Sequence, residues 1–167
     1  GFRGEALSSI AAISRTEIIT RTKDSVTAVR YTINGGIGES LEEVGAPEGT
    51  TIIVRDLFYN VPARRKFLKS DNAELRHIIS EFIRVALTRP QTALKLTSNG
   101  RDIYNLRSVS NHKQRIHDIF GSGLDKELVE IKTDTSIVKI RGFIGDPEDA
   151  KKSSGDQCFF VNGRYFR

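Results

Sequence analysis

Apolar side chains recur along the chain with two different periods, and the switch between them predicts helices alternating with β-hairpins. The longest helical pattern has apolar residues three and four positions apart and stops before Pro90, so it predicts a helix at about 71–88. Asp71 and Glu74 have the spacing of a capping box at the start of this helix. The sequence therefore contains both a start signal and a stop signal for this element.

Two shorter helical patterns are also present. Leu7, Ile10 and Ala11 share one face of a predicted first helix, and a second pattern predicts a helix from Ser110 to Phe120 that ends at Gly121. Because apolar residues alternate or cluster as β-branched runs elsewhere, strands are predicted at 15–22, 29–33, 50–54, 129–133, 137–144 and 157–162, with a further hairpin within 94–106.

Turn signals connect these strands. Asn-Gly pairs at 34–35, 99–100 and 162–163 favour tight hairpin turns. The largely apolar run at 50–54 is expected at the centre of a sheet, and the polar stretch 147–155 is expected to be a loop. The mixture of helices and hairpins predicts an α/β (α+β) fold.

Composition narrows the functional classes. No apolar run approaches the roughly 18 residues of a membrane span, so a membrane protein is not expected. Cys158 is the single cysteine, which excludes an internal disulfide and suits a reducing, cytoplasmic location. The three histidines, His77, His112 and His117, have no zinc spacing. A net charge of +5 permits binding to nucleic acid but does not establish it.

The segment Gly1–Leu7, GFRGEAL, carries the chemistry that is most specific. Glycines at 1 and 4 allow a close approach of the backbone, and the helix that follows directs its first N–H groups and the positive end of its dipole at whatever lies in front. This combination predicts an anion site with phosphate as its usual ligand. A bare G-x-x-G would more often be a plain loop that enters a helix.

Three blocks of sequence extend this signal. Residues 1–14 closely resemble the lid motif of the MutL family of mismatch-repair ATPases, within the GHKL superfamily. Residues 49–68, GTTIIVRDLFYNVPARRKFL, resemble the next block of that family, and residues 159–164, FFVNGR, resemble its VNGR strand. The blocks occur in the family's order across almost the whole chain, and the PARRKFL variant is more similar to bacterial MutL than to eukaryotic paralogues.

The resemblance implies a site for ATP and Mg²⁺ in the intact protein. The backbone of the lid would wrap the β- and γ-phosphates through Gly1, Phe2, Arg3, Gly4, Glu5, Ala6 and Leu7. Thr50 would recognise adenine, since a hydroxyl can both donate and accept, although a β-branched residue is ordinary in a strand. Glu5 is not expected to be a catalytic base, because an acidic residue in a first helical turn is favoured by the dipole alone.

The same resemblance implies a domain division and an incomplete ATPase. Residues 1–107 would be the C-terminal part of a GHKL ATPase domain, and residues 108–167 the N-terminal part of a transducer (ribosomal-S5-like) domain with a left-handed βαβ crossover. The family's helix with a catalytic Glu and an Mg²⁺-binding Asn is absent from the chain, as is its D-x-G-x-G loop. The chain alone is therefore expected to lack ATPase activity and to bind no cofactor.

Basic residues suggest a nucleic-acid contact. Arg164 and Arg167 are the preferred candidates for binding DNA phosphates, and Arg64, Arg65 and Lys66 are a second cluster that could face DNA or a protein partner. The alternative is that these charges are simply solvated. The resemblance further implies a MutS-type partner, an ATP-dependent dimer of the N-terminal regions, and a bacterial, nucleoid-associated location.

Two other functional classes remain open from the sequence. One is a different GHKL ATPase, such as a type II topoisomerase ATPase subunit or a chaperone, although those relatives use other lid sequences. The other is a non-enzymatic DNA-binding or dimerisation module.

Overall fold

A computed structural model describes residues 4–121, 128–146 and 157–166 of the chain. The chain divides into two compact units, residues 1–70 and residues 71–167. Helices and antiparallel sheets occur in both, so the predicted α/β (α+β) class is confirmed. No helix of the described ranges is long and apolar enough to cross a membrane.

The first unit is a short helix followed by a four-stranded antiparallel sheet and a single helical turn. Its elements are α1 (Ala6–Ala11), β1 (Arg15–Arg21), β2 (Ala28–Asn34), β3 (Ile37–Val44), β4 (Gly49–Arg55) and α2 (Pro62–Arg65). The strand order is β3-β2-β1-β4, so β1 pairs on both sides. Alternation along β1 turns Thr16 towards a buried position and Arg15 towards solvent.

In its described residues, the second unit combines two helices with three hairpins. Its elements are α3 (Asp71–Thr88), β5 (Leu94–Ser98), β6 (Arg101–Leu106), α4 (His112–Phe120), β7 (Val129–Asp134), β8 (Lys139–Ile144), β9 (Phe159–Val161) and β10 (Arg164–Phe166). The pairs β5–β6, β7–β8 and β9–β10 are each antiparallel. Four buried apolar residues form its core: Ala86, Leu87, Leu106 and Ile119.

Caps and turns account for several boundaries in the second unit. Asn111 caps α4, where its side-chain oxygen accepts a hydrogen bond from the backbone N of Gln114 at 2.8 Å. Gly121 ends the same helix with a φ of +74°, as a C-terminal glycine is expected to do. Asn99 and Asn162 have φ near +50° and precede glycines with φ of +76°, which is the backbone of a tight hairpin.

Most predicted elements are present, with corrections. The helix predicted at 71–88 is confirmed as α3, whose first residue is Asp71. The turn expected at 34–35 uses the next pair instead, since Gly35 and Gly36 have the positive φ values and Asn34 ends β2. The short helix α2 and the strands β3 and β10 were not predicted. The loop expected at 147–155 lies outside the described residues.

The expectation of a central strand at 50–54 was wrong. Within the described residues, β4 lies at the end of the sheet and pairs with β1 alone. Ile52 and Val54 are 49% and 42% exposed. An apolar run indicates that the side chains of a strand are to be buried. It does not indicate how many neighbouring strands pair with its backbone.

The predicted domain division at residue 107 stays a prediction, because a compact unit and an evolutionary domain are different divisions of the chain. The left-handed βαβ crossover also stays a prediction. In the described part of the second unit, the strands form separate two-stranded sheets.

Candidate functional site

The described part of the lid segment begins at Gly4. Its φ is +68°, a conformation that favours glycine, and no atom lies within 4 Å of the position that a Cβ would take. Glu5 is the N-cap of α1, and its side chain makes no capping hydrogen bond. The backbone therefore enters α1 through an open, glycine-dependent turn. Gly1, Phe2 and Arg3 lie outside the described residues.

The first hydrogen bond of α1 runs from the backbone N of Ser9 to the carbonyl oxygen of Glu5, at 3.0 Å. The hydroxyls of Ser8 and Ser9 also donate to the Glu5 carbonyl, each at 2.9 Å. The backbone N–H groups of Ala6 and Leu7 precede this bond and belong to the first turn, whose donors have no partner within the helix. The arrangement is chemically suited to an anion held by backbone donors.

Beyond α1, three consecutive backbone carbonyls are bound by other segments of the same unit. The acceptors are the oxygens of Ala12, Ile13 and Ser14. Their donors are, in order, Nδ2 of Asn60 at 3.0 Å, the backbone N of Phe58 at 2.7 Å and the backbone N of Gly35 at 3.1 Å. The chain that leaves α1 is therefore fixed both to the β2–β3 turn and to the loop after β4.

The loop Asp56–Asn60, between β4 and α2, has an unusual backbone. Asp56 and Phe58 have φ of +53° and +66°, which non-glycine residues rarely adopt. The hydroxyl of Tyr59 donates to Oδ1 of Asn34. A Cβ on Gly35 would lie 2.8 Å from that hydroxyl, so only glycine fits there without a shift of Tyr59. Such backbone persists where the surrounding structure holds it in place.

A pocket of about 460 Å³ lies beside this loop. Its lining residues are Arg15, Asp56, Leu57, Tyr59, Arg65 and Leu68. The guanidinium of Arg15 lies 3.6 Å from the Asp56 carboxylate and 5.2 Å from the centre of the Tyr59 ring. Because the Arg15 and Asp56 side chains are more than half exposed, their ion pair contributes little to stability.

Thr50 lies on β4 directly opposite Thr20 of β1. The two hydroxyl oxygens are 2.9 Å apart, and both side chains are exposed. A hydroxyl that shares one hydrogen bond with a neighbour can still accept a second. Along β1, Thr20 is five residues from Arg15, where the chain arrives from α1, which corresponds to about 17 Å of strand.

The predicted basic residues belong to both units. Arg64 and Arg65 are in the last turn of α2, Lys66 is its C-cap, and all three are exposed. Arg164 opens β10 after the Asn162-Gly163 turn and is also exposed, while Arg167 lies outside the described residues. The sequence prediction of their roles in DNA binding stays a prediction.

Sequence reasoning assigned no role to the loop residues Asp56–Asn60, nor to Arg15. The signal was present in the block at 49–68, where two aromatic residues and an Asn come just before Pro62. Periodicity cannot detect such a loop, because its role depends on backbone angles and on contacts across the sequence. Among the described residues, no group of three or more His, Cys, Asp or Glu side chains could hold a metal ion.

Comparison with known sequences gives one consistent result. A family model described as "DNA mismatch repair protein, C-terminal domain" matches residues 116–167. The whole chain is 48% identical to the DNA mismatch repair protein MutL of Christiangramia forsetii, and 46% identical to that of Porphyromonas gingivalis ATCC 33277. In each case the chain spans 27% of the length of the relative.

Solved structures agree with this result. The chain is similar to the Aquifex aeolicus MutL ATPase domain complexed with ADP, with a TM-score of 0.82 and 29% identity over 98% of this chain and 62% of that one. A second structure of the ATPase domain of the Aquifex aeolicus mismatch repair endonuclease MutL matches with a TM-score of 0.78 and 27% identity, over 99% of this chain and 62% of that one.

Proposed function

Because this chain belongs to the MutL family of DNA mismatch repair ATPases, we propose that it forms part of an ATP-driven switch that couples mismatch recognition to strand incision. The family membership sets aside the alternatives of a topoisomerase subunit or a chaperone. Within the switch, residues 1–7 hold the phosphates of ATP and Thr50 contacts adenine. Mg²⁺ would neutralise phosphate charge in the intact protein, and no group of three or more His, Cys, Asp or Glu side chains among the described residues could hold it.

The observation that carries this proposal is the backbone at the start of α1. Gly4 has a positive φ and open space on its Cβ side, and it leads into a helix whose first N–H groups precede the Ser9–Glu5 hydrogen bond. A phosphate can approach such a backbone closely, which a side chain at position 4 would prevent. The relative from Aquifex aeolicus was solved as a complex with ADP, and its similarity to this chain supports the same ligand class here.

DNA is the second proposed ligand. Arg164, Arg167, Arg64, Arg65 and Lys66 contact phosphates without reading sequence, because guanidinium and ammonium groups carry no base-specific pattern when they bind the backbone. In the proposed cycle, ATP binding orders the lid, and the ordered lid promotes self-association of two N-terminal regions. A MutS-type protein delivers the mismatch signal. Exposure of the described members of this basic set is the observation that supports their access to DNA.

A second candidate function applies to the 167-residue chain by itself. It contains neither a D-x-G-x-G loop nor an identified catalytic Glu, so it would act as a non-enzymatic DNA-binding or dimerisation module. Isothermal titration calorimetry of the chain with ATP and Mg²⁺ distinguishes this module from an ATP-binding switch. We expect no micromolar binding and no hydrolysis by the chain alone, and both activities in a full-length MutL that carries this sequence. Micromolar binding by the chain alone would contradict this assignment.

A further inference from the structure

The carbonyls of Ala12, Ile13 and Ser14 follow the C-terminal end of α1, and each accepts a hydrogen bond from a segment that is distant in sequence. Two of their three donors are backbone N–H groups, those of Phe58 and Gly35. Any non-proline residue supplies such a donor. The third is the side-chain amide of Asn60, and it is the one donor of the three that a conservative substitution removes.

The loop that carries Asn60 is well held. The backbone N of Tyr59 donates to the Asp56 carbonyl at 3.0 Å, and that of Val61 donates to the Phe58 carbonyl at 3.2 Å. The Tyr59 hydroxyl reaches Asn34, and Arg15 contacts both Asp56 and Tyr59. These contacts offset the free-energy cost of the disfavoured φ values at Asp56 and Phe58. The amide of Asn60 is therefore presented to α1 from a fixed support.

Because α1 is short, the position of its C-terminal end also determines the position of its N-terminal end. Six residues rise by about 9 Å, so a tilt at the C-terminal end moves the first N–H groups by a comparable angle. Hydrogen bonds from backbone N–H groups to phosphate oxygens require donor–acceptor distances of about 2.7–3.2 Å. Binding sites lose function when their donors move by about 0.5 Å.

We infer that Asn60 is a positioning residue for the phosphate-binding segment, because it fixes the end of α1 from the strained loop Asp56–Asn60. The inference rests on the proposed ATP-binding role of residues 1–7. Asn60 touches no phosphate in this scheme and acts through the Ala12 carbonyl.

Asn60→Asp tests this inference in a full-length MutL that carries the sequence. The substitution preserves size but replaces the donating NH₂ group with a carboxylate that can only accept, which then faces the Ala12 carbonyl. We expect the dissociation constant for ATP to rise about tenfold. We expect the dissociation constant for ADP to rise less, because ADP lacks the γ-phosphate, one of the two phosphates that residues 1–7 would hold.

Two further variants separate positioning from general stability. Asn60→Gln keeps the amide donor on a longer side chain and recovers a large part of the ATP affinity. Asn105→Asp is the matched control: it makes the same chemical change at an exposed site on β6 where the described residues show no hydrogen bond to the side chain, and it leaves ATP binding unchanged.

Amide hydrogen exchange gives a readout that does not depend on ATP. In Asn60→Asp, exchange at residues 9–13 accelerates while the β1–β2 and β1–β4 ladders retain wild-type rates. If the variant proves too unstable to measure, Tyr59→Phe removes only the hydroxyl bond that holds the loop to Asn34, and a smaller rise in both exchange and ATP dissociation constant is expected.

The outcomes distinguish the two proposals. Wild-type ATP binding together with an unchanged Asn60→Asp variant, or with equal losses for ATP and ADP, would overturn the positioning role and leave the proposed function standing. A wild-type protein that does not bind ATP would overturn the proposed function, and unchanged exchange at residues 9–13 would independently overturn the hold of Asn60 on α1.

Discussion

The two units of this chain are stabilised by different means. In unit 2 a cluster of buried apolar residues brings α3, α4 and β6 together, with Phe82 and Tyr104 stacked 5.5 Å apart beside it. In unit 1 the largest fully buried side chains are those of two polar residues, Ser14 and Thr16, whose hydroxyls are 2.9 Å apart. Hydrogen bonds between strands and to loops therefore hold unit 1 together, whereas burial of apolar surface stabilises unit 2.

These two kinds of stabilisation predict different effects for a substitution in each unit. Apolar burial is non-directional, so a change in the core of unit 2 alters stability before it alters any particular position. Hydrogen bonds are directional, so a change in the pinned segments of unit 1 alters where a segment lies at a smaller cost in stability. The proposed lid helix belongs to unit 1, the unit in which position is the more sensitive property.

The largest expected effect comes from a matched pair of leucines. Leu106, 3% exposed in the unit 2 core, and Leu41, 72% exposed on β3 of unit 1, are both changed to alanine. We expect Leu106→Ala to lower the free energy of unfolding by about 3 kcal/mol, since it leaves a cavity, and Leu41→Ala by less than about 0.5 kcal/mol. Urea unfolding measures both. Equal losses of unfolding free energy in the two variants would contradict the stabilising role of buried apolar side chains in unit 2.

Unit 2 also contains a directional polar contact, which is made by a buried arginine. Arg115 is fully buried on α4, and its Nη2 donates to the carbonyls of Pro90, Thr92 and Arg107 at 2.6, 2.8 and 2.9 Å. We expect Arg115→Met to lower the free energy of unfolding by about 2 kcal/mol, because carbonyl groups are left without this donor.

Arg101→Met, at an exposed position that opens β6, is the control for Arg115→Met, and we expect it to cost less than about 0.5 kcal/mol. Thermal melting of the two variants provides the measurement. A melting temperature of Arg115→Met equal to that of the control would show that Arg115 contributes nothing through its three carbonyls.

The smallest expected effect compares the basic residues of the two units. In a full-length MutL, Arg164→Glu with Arg167→Glu should weaken duplex binding about tenfold at 0.1 M salt, or about 1.4 kcal/mol, and leave ATP affinity nearly intact. The slope of log K against log salt should fall by about two units. Arg64→Glu with Arg65→Glu makes the same charge change in unit 1 and should alter the slope less.

Titration of labelled duplex at several salt concentrations provides the slopes, and circular dichroism confirms that each double variant is folded. An unchanged slope for the 164/167 variant would reject its proposed DNA contacts. A larger change for the 64/65 variant would transfer the proposed DNA surface to unit 1.

The sequence predicted elements that carry their own local signals. Helix α3 is bounded by Asp71 and by Pro90, and the hairpin turns at 99–100 and 162–163 follow from Asn-Gly pairs, so each could be located without tertiary information. The resemblance of residues 1–14 identified the candidate lid. These signals depend on residues that are close in sequence.

The parts that could not be predicted depend on residues that meet only in the fold. The edge position of β4 follows from strand pairing, which an apolar run does not encode. The turn after β2 is formed by Gly35 and Gly36, and Gly35 contacts the distant Ser14 carbonyl and lies beside the Tyr59 hydroxyl. The role of Asn60 requires Ala12, 48 residues earlier, to lie beside it.

Gly35 has a consequence for how genetic variation in this sequence should be interpreted. A missense change there adds a side chain 2.8 Å from the Tyr59 hydroxyl, at a residue whose φ is already +58°. The displaced tyrosine belongs to the loop Asp56–Asn60, so we expect the defect to affect the proposed ATP-dependent switch more than the amount of folded protein. In a screen for raised mutation rates, a variant at this turn would therefore resemble variants of the proposed lid, although nearly 30 positions of sequence separate the two.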